Sequence, residues 1–320
     1  MIESLDEAPR LVIDAELAPL GATTFQPTGF ADLGAAEFQR PGGPPSLLVE
    51  SVQSLANHFE ACGWDSPNRR PATPLKTLPY LEIVHAGDDR FLTSSRLEPH
   101  RLAAAYVRDA AIDGTSGTPW IAERLGLAKE TPLDWPRIYR AVFELDPLCL
   151  LHGVFFSDQQ WHGNPKVRRA LSAVIEAHDV APAVSGGLKR DDVQFVSGEG
   201  RGAEQGYGFV PFGRTEYTAR EIRLRAVLDL TQIRGYGLPQ TETRLLVGLA
   251  LWELATLLSA PLRLRTACDL DVERIAITRP REFVLRDPDA LAAEIVQLAG
   301  SIDFEQYGAR CMTWPAPKKV

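Results

Sequence analysis

Four cysteines, Cys62, Cys149, Cys268 and Cys311, are scattered through 320 residues without a C-x-x-C pair. That spacing supports neither a zinc knuckle nor a disulfide framework. The catalytic signatures are missing too. There is no G-x-x-x-x-G-K-[ST] phosphate loop, no H-E-x-x-H zinc helix and no G-x-S-x-G elbow. Gly198, Gly200 and Gly202 are not in G-x-G-x-x-G order after a strand. The six histidines (His58, His85, His100, His152, His162 and His178) lack a recognised ligand spacing, and a single histidine in such company is usually structural. Asp88-Asp89 and Asp191-Asp192 sit beside glycine or basic residues and read as turns. No uncharged apolar run reaches the roughly 18 residues of a membrane span. Met1–Arg10 is acidic and has no signal-peptide core, so a cytosolic protein with no membrane partner is expected.

Hydrophobic residues make up 45% and charged residues 24%, the balance of an ordinary globular protein, and the length suits one large domain carrying insertions. The net charge of -8 argues against promiscuous nucleic-acid binding, because attraction to phosphate scales with the basic groups presented. A locally basic groove remains compatible with it.

The most informative stretch runs from Glu221 to Leu270. Ile222, Leu224, Ala226, Leu228 and Leu230 alternate with Arg223, Arg225 and Asp229, which predicts a strand buried on one face. A turn at Gly235 and Gly237 follows, then a helix over Arg244–Leu258 with Thr241 as its expected N-cap. That helix is apolar nearly all round and belongs in the core. Leu262–Leu270 alternates again, with Arg263 and Arg265 outward. The arginine pairs have two readings. They could meet RNA backbone from the open face of a sheet. Equally, Asp14 and Glu16, on a first strand over Leu11–Leu17, could pair with them across that sheet.

Elsewhere, Leu48, Val52, Leu55, Ala56 and Phe59 predict a helix over Ser46–Cys62, with Gln53 and Asn57 on its polar face. Asp65–Pro79 is a proline-rich loop bearing Arg69 and Arg70, and Leu148–Phe156 reads as a buried strand. Lys166, Arg168 and Arg169 open another segment. Val184–Phe212 reads as a long glycine-rich loop, in which Lys189, Arg190 and several aromatics are interleaved.

Several of these segments together resemble a known family. "RLVIDAELAPLGATTFQPTGFADLG" precedes "LLVESVQSLANHFEACGWD" and "LEPHRLAAAYV"; later come "RRALSAVIEAHDVAP" and "RGYGLPQTETRLLVGLALWEL". The order is similar to Cas-seven-type RAMP proteins of type I-U (I-G) CRISPR systems, the Csb-one family, over about Leu11 to Asp271. "FQPTGFADLG" and "VESVQSLAN" are its most specific parts. The resemblance implies an α+β fold: an RRM-like (ferredoxin-like) palm in a single domain, with a finger-like insertion near 65–140 and a thumb-like loop at 184–212. It implies a non-catalytic Cascade backbone subunit with no cofactor. Its partners would be CRISPR RNA, target DNA reached through that RNA, further copies of itself and other Cascade subunits. Gln53, Asn57, Lys166, Arg168, Arg169, Lys189, Arg190, Arg223, Arg225, Arg263 and Arg265 become candidate RNA contacts, with Arg69, Arg70, Arg96, Arg101 and Arg234 beside them. The alternative is a metal-dependent ribonuclease using Asp32 or the Asp191-Asp192 pair.

Overall fold

In the computed structural model, residues 2–30, 33–39, 41–189, 210–304 and 309–315 are described. Alternation in the sequence builds its central strands. In β1 (Arg10–Pro19), Leu11, Ile13, Ala15 and Leu17 are buried while Asp14 and Glu16 face outward. Chain order continues with β2 (Glu37–Gln39), β3 (Pro45–Glu50) and α1 (Val52–Cys62). Then come β4 (Tyr80–His85), β5 (Phe91–Ser94), α2 (Trp135–Leu145), α3 (Leu148–His152), β6 (Val154–Phe155) and β7 (Lys166–Val167). The remaining elements are β8 (Leu171–Lys189), β9 (Val210–Asp229), α4 (Gln240–Leu258), β10 (Leu262–Arg265), β11 (Cys268–Arg279), α5 (Pro288–Gly300) and β12 (Ala309–Trp314).

Seven strands form one sheet in the order β10-β11-β1-β9-β8-β3-β2, every neighbouring pair antiparallel. Within it β1, α1, β8, β9, α4 and β11 follow in the sequence strand–helix–strand–strand–helix–strand, and the four strands lie side by side as β11-β1-β9-β8. Helices α1 and α4 pack together beneath the buried face. Beyond its polar first turn α4 is apolar nearly all round apart from buried Glu253, with Leu245, Leu246, Leu249, Leu251 and Leu254 each at most 1% exposed. No helix among the described residues is long and apolar enough to cross a membrane.

A second sheet has five strands in the order Thr115–Ser116, Ala111–Ile112, β12, β4, β5. Four of the five come from the stretch 65–140. The fifth, β12, returns from the far end of the chain to lie parallel to β4.

Four local expectations are corrected. Ser46–Glu50 is strand, not helix: Leu47 and Val49 are buried where β3 pairs with β8, and Ser51 caps the helix by accepting from the Ser54 amide at 3.2 Å. Leu148–Phe156 is a short helix that ends at Gly153, followed by a two-residue strand whose Phe155 is exposed. α4 starts at Gln240 with Pro239 at its N-cap position, one turn before the expected Arg244 and ahead of Thr241. Leu262–Leu270 is a hairpin, turned at Ala267 with φ +58°, that places Leu262 opposite Leu270.

The glycine-rich stretch also differs from a plain loop at its ends. β8 and β9 stay paired from Leu171 opposite Leu228 to Lys189 opposite Val210, and beyond the sheet they run on as a two-stranded ribbon. Val184, Leu188 and Phe212 on that ribbon are exposed. Arg190 and the Asp191-Asp192 pair lie outside the described residues, as does Asp32.

Candidate nucleic-acid interface

The open face of the large sheet carries charges in register. Asp14 sits opposite Arg225 and Glu16 opposite Arg223. Arg225 donates to Asp14 at 2.7 Å, and this bond holds the Arg225 guanidinium above its ordinary pKa. Arg223 pairs with Glu221 and lies 3.7 Å from Glu16, which also accepts from Arg274. Of the two readings of these arginines, the cross-strand pairing is the one observed. Arg263 is exposed on the edge strand, 3.9 Å from Asp269. Arg265 is half-buried and binds the carbonyls of Gln26 and Val49 as well as Glu50.

A different surface gathers cations without acids. Gln53 and Asn57, four residues apart on α1, share one helix face and are exposed. Opposite them stands the small hairpin of β6 and β7. Gly153, at φ +80°, enters it, and a Cβ there would come within 2.9 Å of the Val167 carbonyl oxygen. Glycine thus lets α3 end directly against the chain that carries Arg168 and Arg169. Across the hairpin Val154 pairs with Val167, both buried, while Phe155 pairs with Lys166, both exposed. The Lys166 ammonium lies 5.4 Å from the Phe155 ring centroid. Trp161, 1% exposed, anchors the connecting turn edge-on to Phe156 at 5.1 Å.

Helix face and hairpin enclose a cleft of about 660 Å³. Arg101, Lys166, Arg168, Arg169, His100 and His152 line it, together with Gln53, Asn57 and Phe155, and among the described residues no carboxylate does. Arg101 forms its rear wall at φ +53°. Its guanidinium donates to both Glu60 oxygens at 2.6 Å and to the Gly153 carbonyl at 3.1 Å. His152, 1% exposed, binds Glu253 of α4 through Nε2 at 2.9 Å. Burial, the largest single influence, opposes its positive charge, but Glu253 and Glu60 together outweigh it and raise its pKa. Arg169 is half-buried; burial, then the like charge of Arg101, lowers its pKa. Lys166, Arg168 and Arg169 have no ion pair among the described residues.

Six of the candidate contacts therefore meet in one place: Gln53, Asn57, Arg101, Lys166, Arg168 and Arg169. The others do not join them. Arg96 is buried, donates to the carbonyls of Leu75, Leu78 and Pro79 and lies 3.8 Å from Asp146, which makes it a brace of the fold and not a surface cation. Arg69 and Arg70 are exposed at a separate turn, Arg70 beside Asp65. Arg234 borders another depression with Asp6 and Glu7. Lys189 ends the β8 ladder. Sequence reasoning missed Phe155, which it placed in the core, and His152 and Glu60, which no local pattern marks. Among the described residues no group of three or more His, Cys, Asp or Glu is placed to hold a metal ion.

Fold and cleft define an α+β protein with a cation-lined groove between α1 and the β6–β7 hairpin, free of carboxylates among the described residues. Residues 11–182, more than half of the chain, match the family described as CRISPR-associated protein GSU0053. The chain belongs to that family, and the match begins where the resemblance read from the sequence begins. No curated protein matches the chain. Solved structures similar to it include a chain of a CRISPR RNA-guided surveillance complex in a pre-nicking state, at 14% identity and TM-score 0.43, covering 96% of this chain and 97% of that one. A second chain, from a CRISPR RNA-guided surveillance complex, is 12% identical with TM-score 0.36 and 96% coverage of both. Thermofilum pendens Csc2 is 12% identical with TM-score 0.32, over 92% of this chain and 72% of that one.

Proposed function

We propose that this chain is a non-catalytic, CRISPR RNA-binding backbone subunit of a type I Cascade surveillance complex. In this reading, copies polymerise along the spacer and present it for pairing with target DNA. The observation that carries the proposal is the cleft: four Lys and Arg side chains, two histidines and a polar helix face, with no acid among the described residues of its lining. Such a surface draws a polyanion locally even though the whole chain carries -8. Phe155 beside Lys166 offers a base-stacking platform at its rim, which suits single-stranded RNA.

The palm assignment draws support from the strand–helix–strand–strand–helix–strand order and the β11-β1-β9-β8 arrangement, which are those of a ferredoxin-like, RRM-like unit. On this reading the stretch 65–140 acts as a finger, and the β8–β9 ribbon leads into the thumb. Light scattering with and without single-stranded RNA, alongside affinities measured over a range of salt, tests the proposal. Multi-copy, salt-dependent complexes are expected. A monomer with no RNA affinity at low salt overturns it, and magnesium-dependent cleavage of the RNA overturns the non-catalytic part.

A further inference from the structure

Two buried polar atoms in the cleft wall have no hydrogen-bond partner among the described residues: Nε of Arg169 and Nδ1 of His152. Such orphans are rare in folded proteins and each calls for an explanation. Their surroundings supply one. Arg169 feels the repulsion of Arg101 and the attraction of Glu60, but both Glu60 oxygens are already taken by Arg101. Both carboxylate oxygens of Glu253 likewise face Nε2 of His152. Two arginines thus share a single carboxylate, at the back of a cleft with no acid in its lining. The deficit is one negative charge, close to donors that have no acceptor.

We propose that Arg169, backed by Arg101 and His152, forms a discrete subsite for one phosphate group, with the Arg169 guanidinium as its bidentate ligand. The planar fork of arginine matches the geometry of phosphate oxygens. Exposed Lys166 and Arg168 contribute diffuse attraction, whereas Arg169 is held in place by its half-buried setting. The identity of the phosphate as an RNA backbone group rests on the function proposed above; the anion subsite itself does not.

Full-length protein carrying ¹⁵N-labelled arginine is titrated with inorganic phosphate at constant ionic strength against chloride. The Arg169 Nε–H resonance, assigned by its loss in Arg169→Lys, is expected to shift saturably with phosphate and not with chloride. In parallel, RNA affinity is compared for Arg169→Lys and for Arg225→Lys, which lies outside the cleft and is paired with Asp14. The first is expected to weaken binding about tenfold, the scale of a charge-assisted hydrogen bond, because lysine keeps the charge and loses the fork. The second should stay within about twofold. RNA binding that survives Arg169→Lys, together with a resonance that ignores phosphate, overturns the subsite and leaves the RNA reading standing. A saturable phosphate shift in a protein that binds no RNA supports the subsite and overturns that reading instead.

Discussion

On the open face of the large sheet Arg225 lies 2.7 Å from Asp14, and Arg223 lies 3.7 Å from Glu16; in the cleft Lys166, Arg168 and Arg169 have no carboxylate partner among the described residues. Both surfaces present exposed arginine, yet their fields differ. On the sheet, antiparallel register sets each cation opposite an acid, so the charges cancel over a few ångströms and little potential reaches solution. In the cleft, the cations without an ion pair, Lys166, Arg168 and Arg169, come from one short hairpin and the segment after it, and the wall facing them, α1, offers amides. Glu60, behind the cleft wall, is turned inward to hold Arg101. A basic residue in a sequence therefore marks a binding surface only once its partner in space is known.

The largest effect expected from breaking this arrangement is at Glu60. Glu60→Ala would leave the Arg101 guanidinium buried beside Arg169 with no counter-charge. Removing one partner of such a buried pair costs about 3–5 kcal/mol. Urea unfolding should show that loss, and a loss below about 1 kcal/mol would mean that Arg101 is solvated in solution.

Next comes the pair behind the cleft. Against the cost of burial, Glu253 with help from Glu60 raises the folded-state pKa of His152 above its unfolded value, so the folded state holds that proton more tightly. The resulting stability is complete below the unfolded value of about 6.5 and fades as pH rises through the folded pKa. Melting temperature should therefore fall with rising pH across the near-neutral range in the wild type. In Glu253→Gln that slope should flatten, and equal slopes in the two proteins would remove His152–Glu253 as its source.

The smallest effect belongs to the sheet. Arg225→Ala should cost only about 0.2–1 kcal/mol, the usual worth of a solvent-exposed pair. Asp14→Asn should cost about the same, and the double variant no more than either one. A chemical-denaturation cycle reads this directly, and a coupling well above that range would show that the pair organises the sheet.

The parts of this arrangement were unequally legible in the sequence. Alternation over Leu11–Leu17 and Ile222–Leu230 gave the buried face of the central strands, and with it the candidate pairing of Asp14 and Glu16 with Arg223 and Arg225. Unbroken apolarity gave α4. Ser46–Glu50 misled because Leu48 continues the three- and four-residue spacing of α1, and only pairing with β8 makes the segment a strand. Leu148–Phe156 misled because a short apolar run has no period by which to tell helix from strand. The cleft was half legible: Gln53 and Asn57, and Lys166, Arg168 and Arg169, were each recognisable, but more than a hundred residues separate them and no local signal joins the two groups. The burial of Arg96 and Arg101 depends on Asp146 and Glu60, again distant in sequence.

The contrast between the two surfaces is tested most directly by removing two positive charges from each and measuring RNA affinity over a range of salt. Lys166→Ala with Arg168→Ala should weaken binding and lower the slope of log affinity against log salt by about two, roughly one for each lost phosphate contact. Arg223→Ala with Arg225→Ala should leave affinity within about twofold and the slope unchanged, because those charges are already met by Asp14, Glu16 and Glu221. Equal losses from the two double variants, or a larger loss from the sheet, would contradict the account.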